Sequence, residues 1–398
     1  MLAKLKSVFK KLFFKNNFIK YQNPYFIGNE IKNVNLAIAT KQLIGPGNFI
    51  EKCEKLLEKQ LSCKKALLTA SGTDAIEMAC LLAGFKAGDE VLIPSFNFPS
   101  SATSILRCGA KPVFINIESS DMNISIKDIE KSVNVKTKGI IVVHYAGLSA
   151  PMSEIIQFAN AKNLIIIEDA AQAIYSKYKN RYLGTLGHFG IISFHQTKNI
   201  FCGEGGALII NQEDDIARAN IIREKGTNRS DFTKGIVSKY SWIDIGSSFL
   251  PSSLQASFLY AQLSEGLVIN NKRREIFKNY HNFFTELINN YNITIPTIDT
   301  NSTHNGHFYW ILVPKNIRSL FLKVAKSNLI ELTTHFEPLH ESIAGKKFGK
   351  SYVDLSITSL LSKQIVRLPI HTQMTSSEQK FIFNALNKTI IECFNSIK

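Results

Sequence analysis

The sequence predicts an α/β fold, with a large domain around a mostly parallel sheet followed by a smaller C-terminal α+β domain. Three observations predict it. Between Lys64 and Asn211, short apolar runs of strand length alternate with helical patterns, as they do when helices cross over between parallel strands. Past about residue 270 that alternation gives way to helices mixed with isolated strands. At 398 residues the chain is also too long for one small core. The expected division is a basic amphipathic extension over 1–22, a large domain over 23–270 and a small domain over 271–398.

Each element has its own justification. Ala66–Thr69 (ALLT) reads as the first strand, and Thr73–Leu82 as the helix after it. Glu90–Pro94 (EVLIP) is the next strand, followed by a helix through Ser101–Arg107. Lys111–Ile117, Gly139–His144 and Leu164–Glu168 continue the series, and His188–Phe194 and Ala207–Ile210 are further apolar runs. Helical spacing returns over Asp214–Lys225 and Leu254–Arg274. In the smaller domain Phe308–Val313 (FYWILV) reads as a strand and Leu320–Asn328 as a helix.

Composition narrows the function classes. The apolar fraction is 45% and no apolar run reaches the length of a membrane span, so a globular cytoplasmic protein is expected. The six cysteines are scattered, with no CxxC and no metal-like cluster, which suits reduced thiols and no bound metal. The formal net charge of +15 is uneven: residues 1–20 hold six lysines and no acid, leaving +9 for the rest. Without nucleic-acid-binding motifs, that distribution argues against a nucleic-acid partner. Leu5, Val8, Phe9, Leu12 and Phe13 fall at helical spacing among those lysines. Residues 1–20 therefore suit weak contact with an anionic membrane surface, a solvated extension, or packing on a partner subunit.

The chemistry concentrates between Ile165 and Gly206. One buried strand ends in Glu168-Asp169; a second ends in Ser193-Phe194-His195, with Lys198 three residues on. An acid and a lysine delivered by two strand ends suit pyridoxal 5'-phosphate: the acid would keep the pyridine nitrogen protonated and the lysine would bond to the aldehyde. Asp169 can also be read as a helix cap, and Lys198 as one of many surface lysines. Gln172, one turn beyond Asp169, could support the ring hydroxyl or simply face solvent. Ser71-Gly72-Thr73 stands where a strand meets a helix, which suits a phosphate and equally an ordinary capping turn.

These segments also carry a family resemblance. SGTDAIEMA, AGDEVLIPSFNF, EDAAQAI, GTLGHFG, SFHQTKN and GEGGALI, in this order from about Gly45 to Pro369, resemble the DegT/DnrJ/EryC1/StrS sugar aminotransferases. The resemblance implies a fold type I pyridoxal-phosphate aminotransferase acting as a homodimer with its active sites at the subunit interface. It implies Lys198 as the residue bonded to the cofactor, Asp169 on the pyridine nitrogen and Gln172 beside the ring. It further implies Gly72, Thr73 and Ser193 at the phosphate and Phe98 stacked on the ring. Many relatives carry an asparagine that reaches the neighbouring subunit's cofactor phosphate; here Ser248 takes that place.

VHYAG, REKGTNRSDF, KYSWIDIGSSFL and HFEPLH resemble members that aminate C4 of a dTDP-4-keto-6-deoxyhexose. The implied reaction moves an amino group from glutamate to give dTDP-4-amino-4,6-dideoxygalactose for a surface polysaccharide such as O antigen or enterobacterial common antigen. The nucleotide sugar's diphosphate makes Lys225, Arg229 and Lys239 candidate contacts, with solvated loop charge as the other reading. His335 is a candidate to approach the sugar, with structural packing as the other reading. Cofactor motifs do not separate this substrate from a C3 ketone or a GDP or UDP sugar. A nicotinamide dehydrogenase is disfavoured because no GxGxxG follows the first strand, and a non-catalytic binding protein because Lys198 and Asp169 are intact.

Overall fold

In the computed structural model, residues 18–41, 43 and 47–396 are described. Most of the amphipathic extension, residues 1–17, lies outside them, and with it the expected membrane-surface contact. The central sheet has seven strands: β1 (Lys65–Thr69), β2 (Glu90–Pro94), β3 (Lys111–Ile115), β4 (Thr137–Val143), β5 (Ile165–Asp169), β6 (Phe189–Ser193) and β7 (Gly206–Ile210). Their spatial order is β1-β7-β6-β5-β4-β2-β3. All are parallel except β7, which runs antiparallel to both neighbours.

That exception has a local cause. No helix lies between Ser193 and Gly206, so the chain lacks the crossover that a parallel return requires, and β7 comes straight back beside β6. The connection is therefore a loop at the carboxyl end of β6, and Lys198 sits in it.

Strand alternation divides the core into two faces. Leu67, Val91, Ile93, Ile141, Ile167, Ile191 and Leu208 join a cluster with the helices that follow β1 and β2. Ala66, Leu68, Leu92, Ile140, Val142, Ile166, Ile192 and Ile209 join the opposite one. Two helices not anticipated from the sequence, α1 (Glu30–Ala39) and α2 (Asn48–Leu61), contribute Ala37, Phe49, Ile50, Cys53, Leu57 and Leu61 to that second face. On the first face lie α3 (Gly72–Leu82) and α4 (Pro99–Arg107).

The helical pattern expected over Leu254–Arg274 resolves into two helices, Ser253–Ser264 and Gly266–Thr285. The break falls where Gly266 passes the ring of Tyr175 so closely that a Cβ would lie 2.7 Å from it. Hydrophobic spacing is continuous across the break, and Gly266 itself is the sequence mark of it. A further core gathers Tyr309, Ile311, Val366 and Leu368 from a two-stranded sheet (Tyr309–Leu312 with Ile365–Leu368) and covers it with helices Arg318–Ser327 and Ser376–Asn395.

Candidate active site

β1, β5 and β6 end on the same edge of the sheet, the edge where ligands of open α/β sheets bind. A cavity of about 410 Å³ opens there, lined by Gly72, Thr73, Phe98, Asp169, Gln172, Ser193, Lys198 and His335 among others. Eight residues singled out from the sequence thus line one cavity.

At the end of β1, extended Ser71 caps α3, its Oγ accepting from Asp74 N at 3.1 Å. The next backbone N–H groups belong to a helix first turn, which leaves them without intrahelical partners. Thr73 Oγ1 and Ser100 Oγ are 2.7 Å apart. Gly72 abuts Ser193: a Cβ on Gly72 would lie 3.0 Å from the Ser193 Cβ and 3.2 Å from its Oγ. Gly206, at the start of β7, is packed under the same turn, where a Cβ would lie 2.4 Å from the Ser71 carbonyl oxygen. The close-packed glycines set the helix-start N–H groups beside the hydroxyls of Thr73, Ser100 and Ser193 at the cavity wall, a donor set that suits a phosphate. Gly206→Ala is expected to push the start of α3 outward, costing about 1–3 kcal/mol of stability. Denaturant unfolding checks that cost, and titration with pyridoxal phosphate should show weakened affinity.

The two adjacent acids of β5 have different duties. Glu168 is fully buried and satisfied, accepting from Gly184 N (2.9 Å), Leu186 N (2.6 Å) and Gly187 N (2.6 Å) and pairing with His144 Nε2 (3.0 Å). Asp169 lines the cavity, its Oδ2 accepting from Ser101 Oγ and its Oδ1 from Ala171 N, both at 3.2 Å. Burial raises the Asp169 pKa, opposed by the Ala171 N–H and the Lys198 charge. A cationic partner in the cavity offsets that burial penalty. Ser101 is itself held by Asn97 Nδ2 at 2.9 Å. Asn97, Ser100 and Ser101 escaped the sequence reading, although the polar run NFPSS opening a helix was a visible signal.

Burial pushes the Lys198 amine down to about 8, with Asp169 opposing the shift and Arg367 adding to it. Gln172 is fixed by accepting from Ala146 N at 2.8 Å, leaving its NH2 group for the cavity. Phe98 is 60% exposed despite lining the cavity, so it offers an open ring face. His335 is packed as well as cavity-lining: its Nδ1 meets Tyr145 Oη at 2.8 Å and its ring stacks on Phe336 at 4.0 Å.

Four expected residues do not line this cavity: Lys225, Arg229, Lys239 and Ser248. Their segment folds on itself through bridges between Glu224 and Ser248 and between Thr227 and Trp242. Arg229 Nε lies 3.8 Å from the buried Glu224 carboxylate, and the Lys239 carbonyl accepts from Asn228 Nδ2.

The sequence profile of the DegT/DnrJ/EryC1/StrS aminotransferase family matches residues 25–387. The chain belongs to this family. An uncharacterised protein of Methanocaldococcus jannaschii is 32% identical, covering 92% of this chain and 96% of that one. GDP-perosamine synthase of Escherichia coli O157:H7 is 27% identical over 93% of this chain and 98% of its own length. Among solved structures, an aminotransferase from Psychrobacter cryohalolentis superposes with a TM-score of 0.88 at 23% identity, covering 94% of this chain and all of that one (100%). A family aminotransferase from Brucella abortus gives 0.83 at 25% identity, covering 91% and 95%. The family is pyridoxal-phosphate dependent, and the cavity fits that cofactor on its own terms. Its cradle of N–H and hydroxyl donors matches a phosphate, its buried acid a pyridinium, and its open Phe98 face an aromatic ring.

Proposed function

We propose that this sugar aminotransferase moves an amino group from glutamate to the C4 ketone of a dTDP-4-keto-6-deoxyhexose, forming dTDP-4-amino-4,6-dideoxygalactose for a surface polysaccharide. The observation that carries the chemistry is the one cavity uniting Lys198, Asp169 and the Gly72-Thr73 helix start. The segments VHYAG, REKGTNRSDF, KYSWIDIGSSFL and HFEPLH support the choice of sugar. A second reading, a GDP-linked sugar, is favoured by the relatives named GDP-perosamine synthase. Incubation with glutamate and dTDP-, GDP- or UDP-linked 4-keto and 3-keto sugars, with mass and NMR analysis of products, tests both. No product from the dTDP-linked 4-ketone would sink the first.

Pyridoxal phosphate, when bound, supplies an aldehyde that takes up the amino group and a ring that accepts electrons. Gly72, Thr73 and Ser193 would hold its phosphate, Asp169 its ring nitrogen, Gln172 its ring edge and Phe98 its face. Lys198 is positioned to hold and release a proton at its Nζ, and an amine near 8 does so close to neutral pH. Sign and window follow from the downward shift: below about pH 8 the folded amine is mostly protonated, and above it mostly neutral. The rate at which apoprotein bonds covalently to pyridoxal phosphate is therefore expected to rise about tenfold per pH unit up to that point, then level off. Borohydride trapping at Lys198 measures it; a rise continuing unchanged to pH 10 would contradict the shifted amine.

The proposed working unit is a cytoplasmic homodimer. Trp242 is 80% exposed and Ile243 and Ile245 more than half exposed, on the segment that carries Ser248. A second copy covering them would bring Ser248, and the neighbouring Lys225, Arg229 and Lys239, toward the partner's cavity. Light scattering on the purified protein tests this, a monomer being the contrary result. No helix among the described residues is long and apolar enough to cross a membrane.

A further inference from the structure

One buried histidine beside the site has no part in the chemistry described so far. His307 stands two residues before the strand Tyr309–Leu312 and is 7% exposed. It lines the main cavity together with Lys198. A smaller adjoining cavity has both residues in its wall as well. The residues common to the two walls are Gln22, Thr197, Lys198, His307 and Arg367.

A chain of buried amides fixes where the His307 ring carries its proton. Backbone carbonyls only accept, so they set the direction of every bond that reaches them. Asn270 Nδ2 donates to the Ile174 carbonyl at 2.8 Å, which leaves Asn270 Oδ1 as an acceptor. Asn199 Nδ2 donates to that oxygen at 2.9 Å and to the Asn305 carbonyl at 3.0 Å. Asn199 Oδ1 is therefore the atom that meets His307 Nδ1, 2.9 Å away, and Nδ1 must carry the hydrogen. The backbone is held as firmly: His307 N donates to Asn305 Oδ1 at 3.1 Å, and its carbonyl accepts from Arg273 Nη2 at 2.6 Å. Burial, reinforced by the charges of Lys198, Arg273 and Arg367, keeps the His307 pKa well below the usual imidazole value. The ring is neutral, so Nε2 presents a bare lone pair. Among the described residues no hydrogen bond reaches Nε2.

Lys198 is the complement. Its Nζ is a donor that no hydrogen bond or ion pair among the described residues satisfies. A desolvated ammonium needs an acceptor. Asp169 attracts it but lines the main cavity alone, engaged there by Ser101 and Ala171. Of the residues common to both walls, Gln22 is exposed, Thr197 Oγ1 is bonded to His195 Nδ1 at 2.9 Å, and the Arg367 side chain has donors alone. His307 Nε2 is the acceptor that the core holds in place.

We infer that His307 is a positioning residue for Lys198: its Nε2 accepts a hydrogen bond from Nζ whenever the lysine is released from the cofactor, holding the amine between the two cavities. This rests on the role proposed for Lys198 above. In this structure the two atoms are not hydrogen-bonded to each other, and the lysine's flexible four-carbon stem closes the gap. A neutral imidazole that resists protonation accepts the bond without removing the proton, so the amine keeps it for the substrate.

The test uses the full-length holoenzyme with His307→Asn and His307→Gln. Asparagine keeps a donor where Nδ1 stands and loses Nε2; glutamine places an amide where Nε2 stands and gives up the bond to Asn199. In single-turnover reaction with glutamate, His307→Asn should slow the rate by about 10- to 100-fold, the effect of one lost bond to a charged group. Half-saturation by glutamate should change by less than about threefold. His307→Gln should stay within about tenfold of the wild-type rate. Nitrogen NMR of histidine-labelled enzyme loaded with pyridoxamine phosphate, which leaves Lys198 free, reads the bond without turnover. The His307 signals, assigned by their absence from either variant, should show Nδ1 protonated and Nε2 bare, and Lys198→Met should shift the Nε2 signal. A protonated Nε2, or an Nε2 signal unmoved in Lys198→Met, overturns the inference. So does a wild-type rate in His307→Asn, or a smaller loss there than in His307→Gln, which would assign the effect to the Asn199 contact. Should His307→Asn not fold, His307→Gln still assigns the signals and the Lys198→Met shift decides. Any of these failures with Lys198→Arg inactive overturns this inference alone, whereas turnover near wild type in Lys198→Arg sinks the role of Lys198 beneath it.

Discussion

Lys198→Arg is expected to lower turnover by about ten-thousand-fold, the upper range for removing a positioned acid–base group. Arginine keeps the charge but is protonated at every accessible pH, so it neither bonds to the aldehyde nor gives up a proton. The loss should fall in the rate of both half-reactions, while noncovalent retention of pyridoxal phosphate persists, because the proposed phosphate contacts come from Gly72, Thr73, Ser100 and Ser193 instead. Single-turnover absorbance with glutamate reads the rate, and gel filtration with phosphate analysis reads retention. Turnover within about tenfold of wild type would show that another group moves the proton.

Asp169→Asn should cost about 100- to 1000-fold in turnover, the range seen when one electrostatic stabiliser is removed from a buried site. The substitution is nearly isosteric and can keep the Ala171 N–H bond, so stability should change little. What disappears is the negative charge that would face the ring nitrogen. A useful control is Ser101→Ala, which removes a 3.2 Å hydrogen bond to the same carboxylate without removing its charge. Its effect should be about tenfold or less. Steady-state kinetics on both variants separates the two contributions; equal losses would mean that orientation, not charge, is what Asp169 supplies.

Much of this site was legible along the chain because its parts are local. A strand that ends, a turn, and a helix that begins leave marks within a few residues: ALLT then SGT, IIIED then AAQ, FGIIS then the loop to Lys198. Strand ends on one sheet edge then coincide in space almost automatically. Legibility failed where a partner lies far away in sequence. Glu168 and Asp169 look alike in a row of letters, yet one is consumed by His144 and the 184–187 turn while the other meets the cavity. Gln22, His307 and Arg367 line the cavity from segments far from one another along the chain, and no periodicity ties them to Lys198. The packing reason for the break at Gly266 was illegible likewise, since the Tyr175 ring that it passes comes from another part of the chain.

By itself, then, the sequence determined the α/β class, the order of the strands along the chain and the acid–lysine pair at their ends. Those depend on hydrophobic alternation and on turn chemistry, which act over a few residues. The tertiary structure decided which polar groups are spent on holding the fold and which remain for a ligand. It satisfied Glu168 and Arg273 with protein partners, held Asp169 at the cavity wall, and left the buried Arg367 Nε without a partner among the described residues. Whether a buried polar group is satisfied depends on every segment packed around it, so that question is settled only when the whole chain has closed.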